Sequence, residues 1–412
     1  MKTLYQKSPQ QEQASVLLVA LLFAVVIGIT MSSYLYLISN QDQAVVRSQH
    51  WNAALDVAEA GIEEGLAQMN ASPGDFSANG WGGANGVYGP VSRTLAGGSY
   101  RVSILTNPLP SVCSTGYMTM PITGSNVSRV VKVTAVSIPL FNVGLGAVGN
   151  IDMKGNDMAT DSWNSYSTNL SNNGVYDPTK ISTNGNVASV GGIVNIGNHT
   201  IDGNLYLGPT ATYTSGTNQV MDKIYYDYNV QFPDAVLPAV SWPAAPVTGN
   251  GGNAKHDITS SGTWLVSDSL PIIVEAGITA TLQVTTTSFS PSSITILGGM
   301  TNSGTLIMYQ DSGTASLSGN AAAGGNRPEN FYYYGLPGVT SITLGGTTAF
   351  IGAIYAPEAS LTLNGGGGAN NLQGSCIVKS VSMNGHYDFH YDESLVTYGP
   401  AKGYTVNSWP EF

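Results

Sequence analysis

From Ser15 to Ile38 the chain carries no charged side chain, and the run VLLVALLFAVVIGI inside it is almost wholly apolar. At about 1.5 Å of rise per residue such a segment crosses the roughly 30 Å hydrocarbon core of a bilayer, so the pattern predicts a transmembrane helix. A cleaved secretory signal is the competing reading. Its apolar core would be about 7–15 residues long and end at a small-x-small site, whereas Tyr34, Leu35, Tyr36, Leu37 and Ile38 prolong the run. From Gln41 to Met69 there is no proline, and Val45, Leu55, Ala58, Ile62, Leu66 and Met69 recur at helical spacing. Together the two segments predict one continuous helix, apolar all round where it meets lipid and amphipathic where it meets a folded domain.

After Asn70 the pattern changes to short apolar-alternating runs punctuated by Gly and Asn, such as SYRVSI and RVVKVTAVSI, which predict strands and tight turns. Glycines at 185, 191, 197 and 203, with Val187, Ile193, His199 and Leu205 each two residues later, give a six-residue period. A longer period follows, because SITLGG from Ser341, SLTLNG from Ser360 and SVSMNG from Ser380 start 19 and 20 residues apart, with a related SITILGG at Ser293. GAIYA from Gly352 and GSCIV from Gly374 form a second series at nearly the same spacing. Such units predict a β-solenoid in which Ile342, Leu344, Leu361, Leu363, Val381 and Met383 point inward and stack coil over coil. A Gly-rich β-sandwich is the alternative architecture. Residues 230–256, with Pro233, Pro238, Pro243, Pro246 and GNGGN, read as an irregular excursion between the two repeat regions. The fold class expected is therefore mainly β with one long N-terminal α-helix: a small β-sheet beside the helix, then a β-solenoid (β-helix) head.

Composition narrows the function. Charged residues are 9% of the 412, Gly contributes 50 positions, and the net charge is −11. With only 14 Lys and Arg, the clustered cations that bind phosphate backbones are missing, so nucleic acid is not an expected partner. Two cysteines, Cys113 and Cys376, make neither a disulfide framework nor a CxxC metal site. Lys2 and Lys7 precede the apolar run and Asp42 follows it, which puts the N-terminus in the cytoplasm and the rest outside.

The sharpest candidate site is HYDFHYDE, where His386, Asp388, His390 and Asp392 share one face of a strand at period 2. As metal ligands they are poorly placed, since alternate positions on one strand are about 6.5–7 Å apart and cannot all enclose one ion. A solvated polar face capping the solenoid is the expectation. Asp152, Asp157 and Asp161 with Asn150, Asn156 and Asn164 form an oxygen-rich cluster that suggests Ca²⁺, but their spacing matches no EF-hand loop and turns recruit the same residues. No GxSxG, HExxH or phosphate-binding loop is present, and after Leu140 the basic residues are Lys154, Lys180, Lys223, Lys255, Arg327, Lys379 and Lys402. The residues therefore predict no enzyme, no cofactor and no catalytic group.

SVLLVALLFAVVIGI, AALDVAEAGIEEGL from Ala53 and GGSYRVSI from Gly97, with STGYM from Ser114 and SRVVKVTAV from Ser128, resemble type IV minor pilins of the PilX kind over the first third of the chain. TTAFIGAIYAPEASLTLNG and MNGHYDFHYDESL resemble Gly-rich β-solenoid modules of bacterial surface proteins. The first resemblance implies prepilin peptidase cleavage between Ala14 and Ser15, with Ala in place of the family's usual Gly. Many pilins carry Glu at the fifth mature position, where this chain has Val19. An uncompensated buried charge is costly, so a subunit without that Glu suits a place where no pairing is needed, such as a filament tip. The resulting organisation is a cytoplasmic leader 1–14, a transmembrane helix 15–38, an amphipathic helix with a small β domain 39–140, and a solenoid head 141–412. It implies a non-enzymatic structural or adhesive protein of the bacterial inner membrane, single-pass with its head outside, in a type IV filament or related secretion apparatus. Its implied partners are the lipid bilayer, other pilins or pseudopilins, prepilin peptidase and surface glycans. A plain membrane anchor without a filament, and a tethered β-helix that binds or cleaves polysaccharide, are the alternatives.

Overall fold

The computed structural model describes residues 9–73, 75–95, 97–121, 124–154, 159–216, 219–299, 301–317, 327–346, 349–365, 371–384 and 387–409. The chain forms two compact units: Met1–Ile138 with Ala401–Phe412, and Pro139–Pro400.

In the first unit one helix runs over Pro9–Ala71, 63 residues without a break, or about 95 Å at 1.5 Å per residue. From Val16 to Leu37 its side chains are exposed, Leu17 at 72% and Tyr36 at 71%. This segment is long and apolar enough to cross a membrane. Further along, Ala54, Val57, Ala58, Ile62 and Met69 are buried, a three-and-four-spaced stripe against strands Gly98–Leu105 and Ser111–Thr119. Val45, placed on that stripe from sequence, is 55% exposed. The close helix–sheet contact lies beyond it: a Cβ at Gly116 would run into the Ala54 carbonyl, and Gly61 and Gly65 face Ser114 and Val112 in the same way. Glu64 accepts from Arg93 Nη2 at 2.9 Å and from the Tyr100 hydroxyl at 2.7 Å, tying the helix to two strands.

The sheet beside this helix has six strands in the order Gly83–Ala84, Val87–Leu95, Gly98–Leu105, Ser111–Thr119, Asn126–Pro139 and Ala401–Ser408. The first five make an antiparallel meander. The sixth corrects the sequence reading, which carries the head through residue 412. Residues 401–408 return to this unit, where the Tyr404 amide donates to Asn70 Oδ1 at 2.7 Å and the Tyr404 ring packs edge-on to Phe76 at 5.4 Å. The second unit is thus inserted between the last two strands of the first.

The second unit is a stack of parallel strands. Ala315 pairs with Ile342, Ile342 with Leu361, Leu361 with Val381, and Val381 with Ile151. One step along, Leu344, Leu363, Met383 and Met153 form the neighbouring file, and all of these side chains are buried. Cys376 pairs with Ile354 in the second series; its thiol is pushed upward by complete burial. SITILGG at Ser293 departs from the first series: Ile294–Ile296 lies in a separate four-stranded sheet beside Ile272–Val274.

The stack does not follow chain order. The chain enters at Leu145–Trp163, in the middle, and proceeds outward through Ile193–Leu207 to Thr212–Tyr225. It then crosses to the other end at Gly262–Val266 and returns layer by layer until Asn371–Asp392 pairs with the entry strands. Its ends meet, the Leu140 amide donating to the Pro400 carbonyl at 2.8 Å. The crossing is made by the Pro-rich segment, which spans eight inter-strand steps between Leu207 and Leu265, roughly 38 Å at about 4.8 Å each. It starts where the Tyr228 amide meets the Leu207 carbonyl, passes Tyr355, whose hydroxyl donates to the Pro233 carbonyl, and ends where Ala245 and Leu265 exchange hydrogen bonds with each other's strand. Proline keeps it extended and unable to join the ladder. Phe232 and Ala235 on this strap cover a second apolar layer of Tyr332, Ala353, Tyr355 and Ile377. GNGGN is a hairpin turn, with Val247 paired to His256.

The six-residue period holds in part. Val187, His199 and Leu205 are fully buried, but Ile193 is 53% exposed. Strand Ile193–Gly197 turns Val194 and Ile196 inward instead.

Candidate functional site

The Ala14–Ser15 bond lies within the helix Pro9–Ala71. Val19 is 48% exposed on that helix.

His386 and Asp157, with Asn156, lie outside the described residues. The rest of HYDFHYDE is not a solvated cap. The connection from Asn164 to Asn186 folds over the strand Asp388–Asp392, and His390 and Asp392 are buried beneath it. His390 Nδ1 donates to Asp161 Oδ1 at 2.7 Å, the Tyr176 hydroxyl donates to Asp161 Oδ2 at 2.8 Å, and the Tyr176 ring stacks on the imidazole at 3.8 Å. Burial, then the Asp161 charge, pushes the Tyr176 phenol far upward, so it stays a donor. Lys180 pins the connection by donating to the Ser171 and Thr168 carbonyls.

Ser162, next to Asp161, gives its hydroxyl to Glu393 at 2.7 Å. Asp388 accepts from the Ala159 amide. Asp392 Oδ1 accepts from the Ser165 and Ser394 amides, both at 3.0 Å, while Oδ2 has no partner among the described residues. Burial holds the Asp392 carboxyl above its ordinary range.

The proposed oxygen cluster is dispersed into backbone and ladder roles. Asn150 accepts from the Ile193 amide, Asp152 from Asn195, and Asn164 from the Tyr166 amide. Among the described residues no three His, Cys, Asp or Glu side chains converge as metal ligands. Cys113 and Cys376 are unpaired and belong to different units.

Beside Asp392 lies a cluster the sequence does not announce. Tyr166 stacks on Tyr398 at 4.0 Å, the Arg327 guanidinium sits 3.7 Å from the Tyr166 centroid, and the Tyr166 hydroxyl donates to Glu329. Burial and the Glu329 bond push the Tyr166 phenol up to about 12. Tyr166 and Glu329 are 163 positions apart. The signal available beforehand was that Arg327 is the single arginine after Leu140.

Comparison with known proteins adds little to these observations. A family described as "Domain of unknown function (DUF7305)" matches residues 254–398. No curated protein matches. Among solved structures, the competence-associated pilin ComZ from Thermus thermophilus aligns at 14% identity and a TM-score of 0.28, over 87% of this chain and 97% of that one.

Proposed function

We propose that the chain is a non-enzymatic, membrane-anchored surface protein, a minor-pilin-like component of a type IV filament or related secretion apparatus with a β-solenoid head. The observation that carries this is the division of one unbroken helix. Its first half exposes apolar side chains on every side, and its second half is buried along one stripe against an antiparallel sheet. A helix serving only a soluble unit has no use for the first half, because its eighteen exposed apolar side chains between Val16 and Leu37 would aggregate in water. The motifs around Ala53 and Gly97 form the parts of that unit which the pilin resemblance implies: helix Pro9–Ala71 and strand Gly98–Leu105. Val19 in place of Glu, and a head of this size, favour a filament tip over a repeating position.

The test is intact mass and N-terminal sequencing of the protein recovered from membranes of a host with a prepilin peptidase. A new N-terminus at Ser15 is expected. An intact Met1 would refute the pilin pathway and leave a plain anchor.

A further inference from the structure

Tyr398 is the outer layer of a prebuilt three-part stack. Two groups within 4.0 Å of one ring centroid, the Arg327 guanidinium and the Tyr398 ring, must lie on opposite faces of Tyr166. The order is therefore guanidinium, ring, ring. Glu329 fixes the inner members, accepting from the Tyr166 hydroxyl and lying 3.8 Å from Arg327 Nη1. Behind them Asp392 clamps the Ser165 and Ser394 amides, which hold the chain entering Tyr166 and the short helix Leu395–Tyr398. One face of Tyr398 is taken by Tyr166, and the residue is still 54% exposed.

A flat ring already ordered by its neighbours binds with little further loss of side-chain entropy. Its chemistry selects the occupant. The Arg327 cation lies on the far face of Tyr166, two layers from the outer face of Tyr398. A protein partner would need about 800 Å² of surface with an apolar centre, whereas among the described residues the connection Asn164–Asn186 and the helix Leu395–Tyr398 expose five large apolar side chains, Tyr166, Val175, Ile181, Val396 and Tyr398. A pyranose fits, because its face of C–H groups matches one aromatic ring while its hydroxyls remain in water or bond to neighbouring polar groups.

We propose that the outer face of Tyr398 is a saccharide-binding subsite, taking one pyranose ring of a neutral polysaccharide. This rests on the reading of the head as exposed outside the cytoplasm, but its test does not depend on how the helix is processed. The full-length chain in detergent micelles is titrated with cellohexaose, maltohexaose and chitohexaose, with saturation-transfer NMR as the readout. At least one hexaose is expected to bind with a millimolar or tighter Kd. Tyr398→Ala should weaken that binding at least tenfold, and Tyr398→Trp should retain it. Tyr226→Ala, which removes a tyrosine 58% exposed but outside any such stack, should match the unsubstituted chain.

Failure of all three hexaoses to bind, or equal binding by Tyr398→Ala, overturns the proposal. So does self-association that Tyr398→Ala abolishes, which would assign the ring to a second copy of the chain. Loss of saccharide binding together with an N-terminus at Ser15 would leave the pilin reading standing, and binding with an intact Met1 would do the reverse.

Discussion

His199 is fully buried in the stack, and neither ring nitrogen has a hydrogen-bond partner among the described residues. Burial alone lowers its pKa from 6.5 to about 4. The sign follows from proton uptake: below pH 6.5 the unfolded chain binds a proton that the folded chain refuses. The stability associated with neutral His199 is therefore complete above pH 6.5, is lost progressively as pH falls, and stops falling near pH 4. A difference of 2.5 pKa units at about 1.36 kcal/mol each gives an upper limit near 3 kcal/mol, or about 300-fold in the opening equilibrium.

His199→Leu removes the titration and the two unpartnered nitrogens while keeping similar volume. It should be neutral or stabilising by about 1 kcal/mol at pH 7, and its advantage should widen toward pH 4. Hydrogen exchange of peptides spanning 193–207, corrected for intrinsic rates, reads this locally and does not need two-state unfolding of a two-unit protein. A protection gap between variant and parent that stays constant from pH 7 to pH 4, or narrows, would refute the reasoning.

Four further outcomes follow from the packing. Gly116→Ala drives a Cβ into the Ala54 carbonyl, and should cost about 2–4 kcal/mol, measured as a fall in the thermal midpoint of the helix–sheet unit. Leu363→Ala opens a void between Leu344 and Met383 in the inward file and should cost about 2–5 kcal/mol by urea denaturation. Asp392→Asn replaces a buried carboxylate whose folded pKa is raised. The ionised form costs stability above that folded pKa and nothing below the ordinary carboxylate range, so the variant should gain about 1 kcal/mol near neutral pH and lose that gain in acid. Tyr355→Phe removes the hydroxyl that holds the Pro233 carbonyl, and should leave the stack folded while making residues 229–240 more sensitive to limited proteolysis.

Much of the fold was legible because it follows from periods. The helix and its change from uniform to one-sided apolarity read directly from the first seventy residues, and the files of inward residues read from a 19- to 20-residue spacing. What escaped depends on contacts between distant segments. Strand Ala401–Ser408 has the alternation of any short edge strand, and nothing local says that it pairs with Asn126–Pro139 and not with the layers preceding it. The order of the stack, entered in its middle, is invisible to a repeat pattern because each layer is chemically interchangeable with its neighbours. His390 and Asp392 were placed on a solvated face because alternation reveals which residues share a side, and not that Tyr176 and Ser165 will cover that side. Ile193 kept the period of six but lost its place inside because its strand turns Val194 to the core.

The meeting of Leu140 with Pro400 at 2.8 Å sets how load travels through this molecule. Tension on the second unit does not reach the long helix through a single terminus that can peel away; it enters a sheet at two neighbouring strands, Asn126–Pro139 and Ala401–Ser408. Strand Ala401–Ser408 cannot be drawn out by the head without its hydrogen bonds to the adjoining strand being strained at the same time. The same doubled junction makes the second unit a cassette, replaceable as a whole by any domain whose ends lie equally close, with the long helix and its sheet left intact.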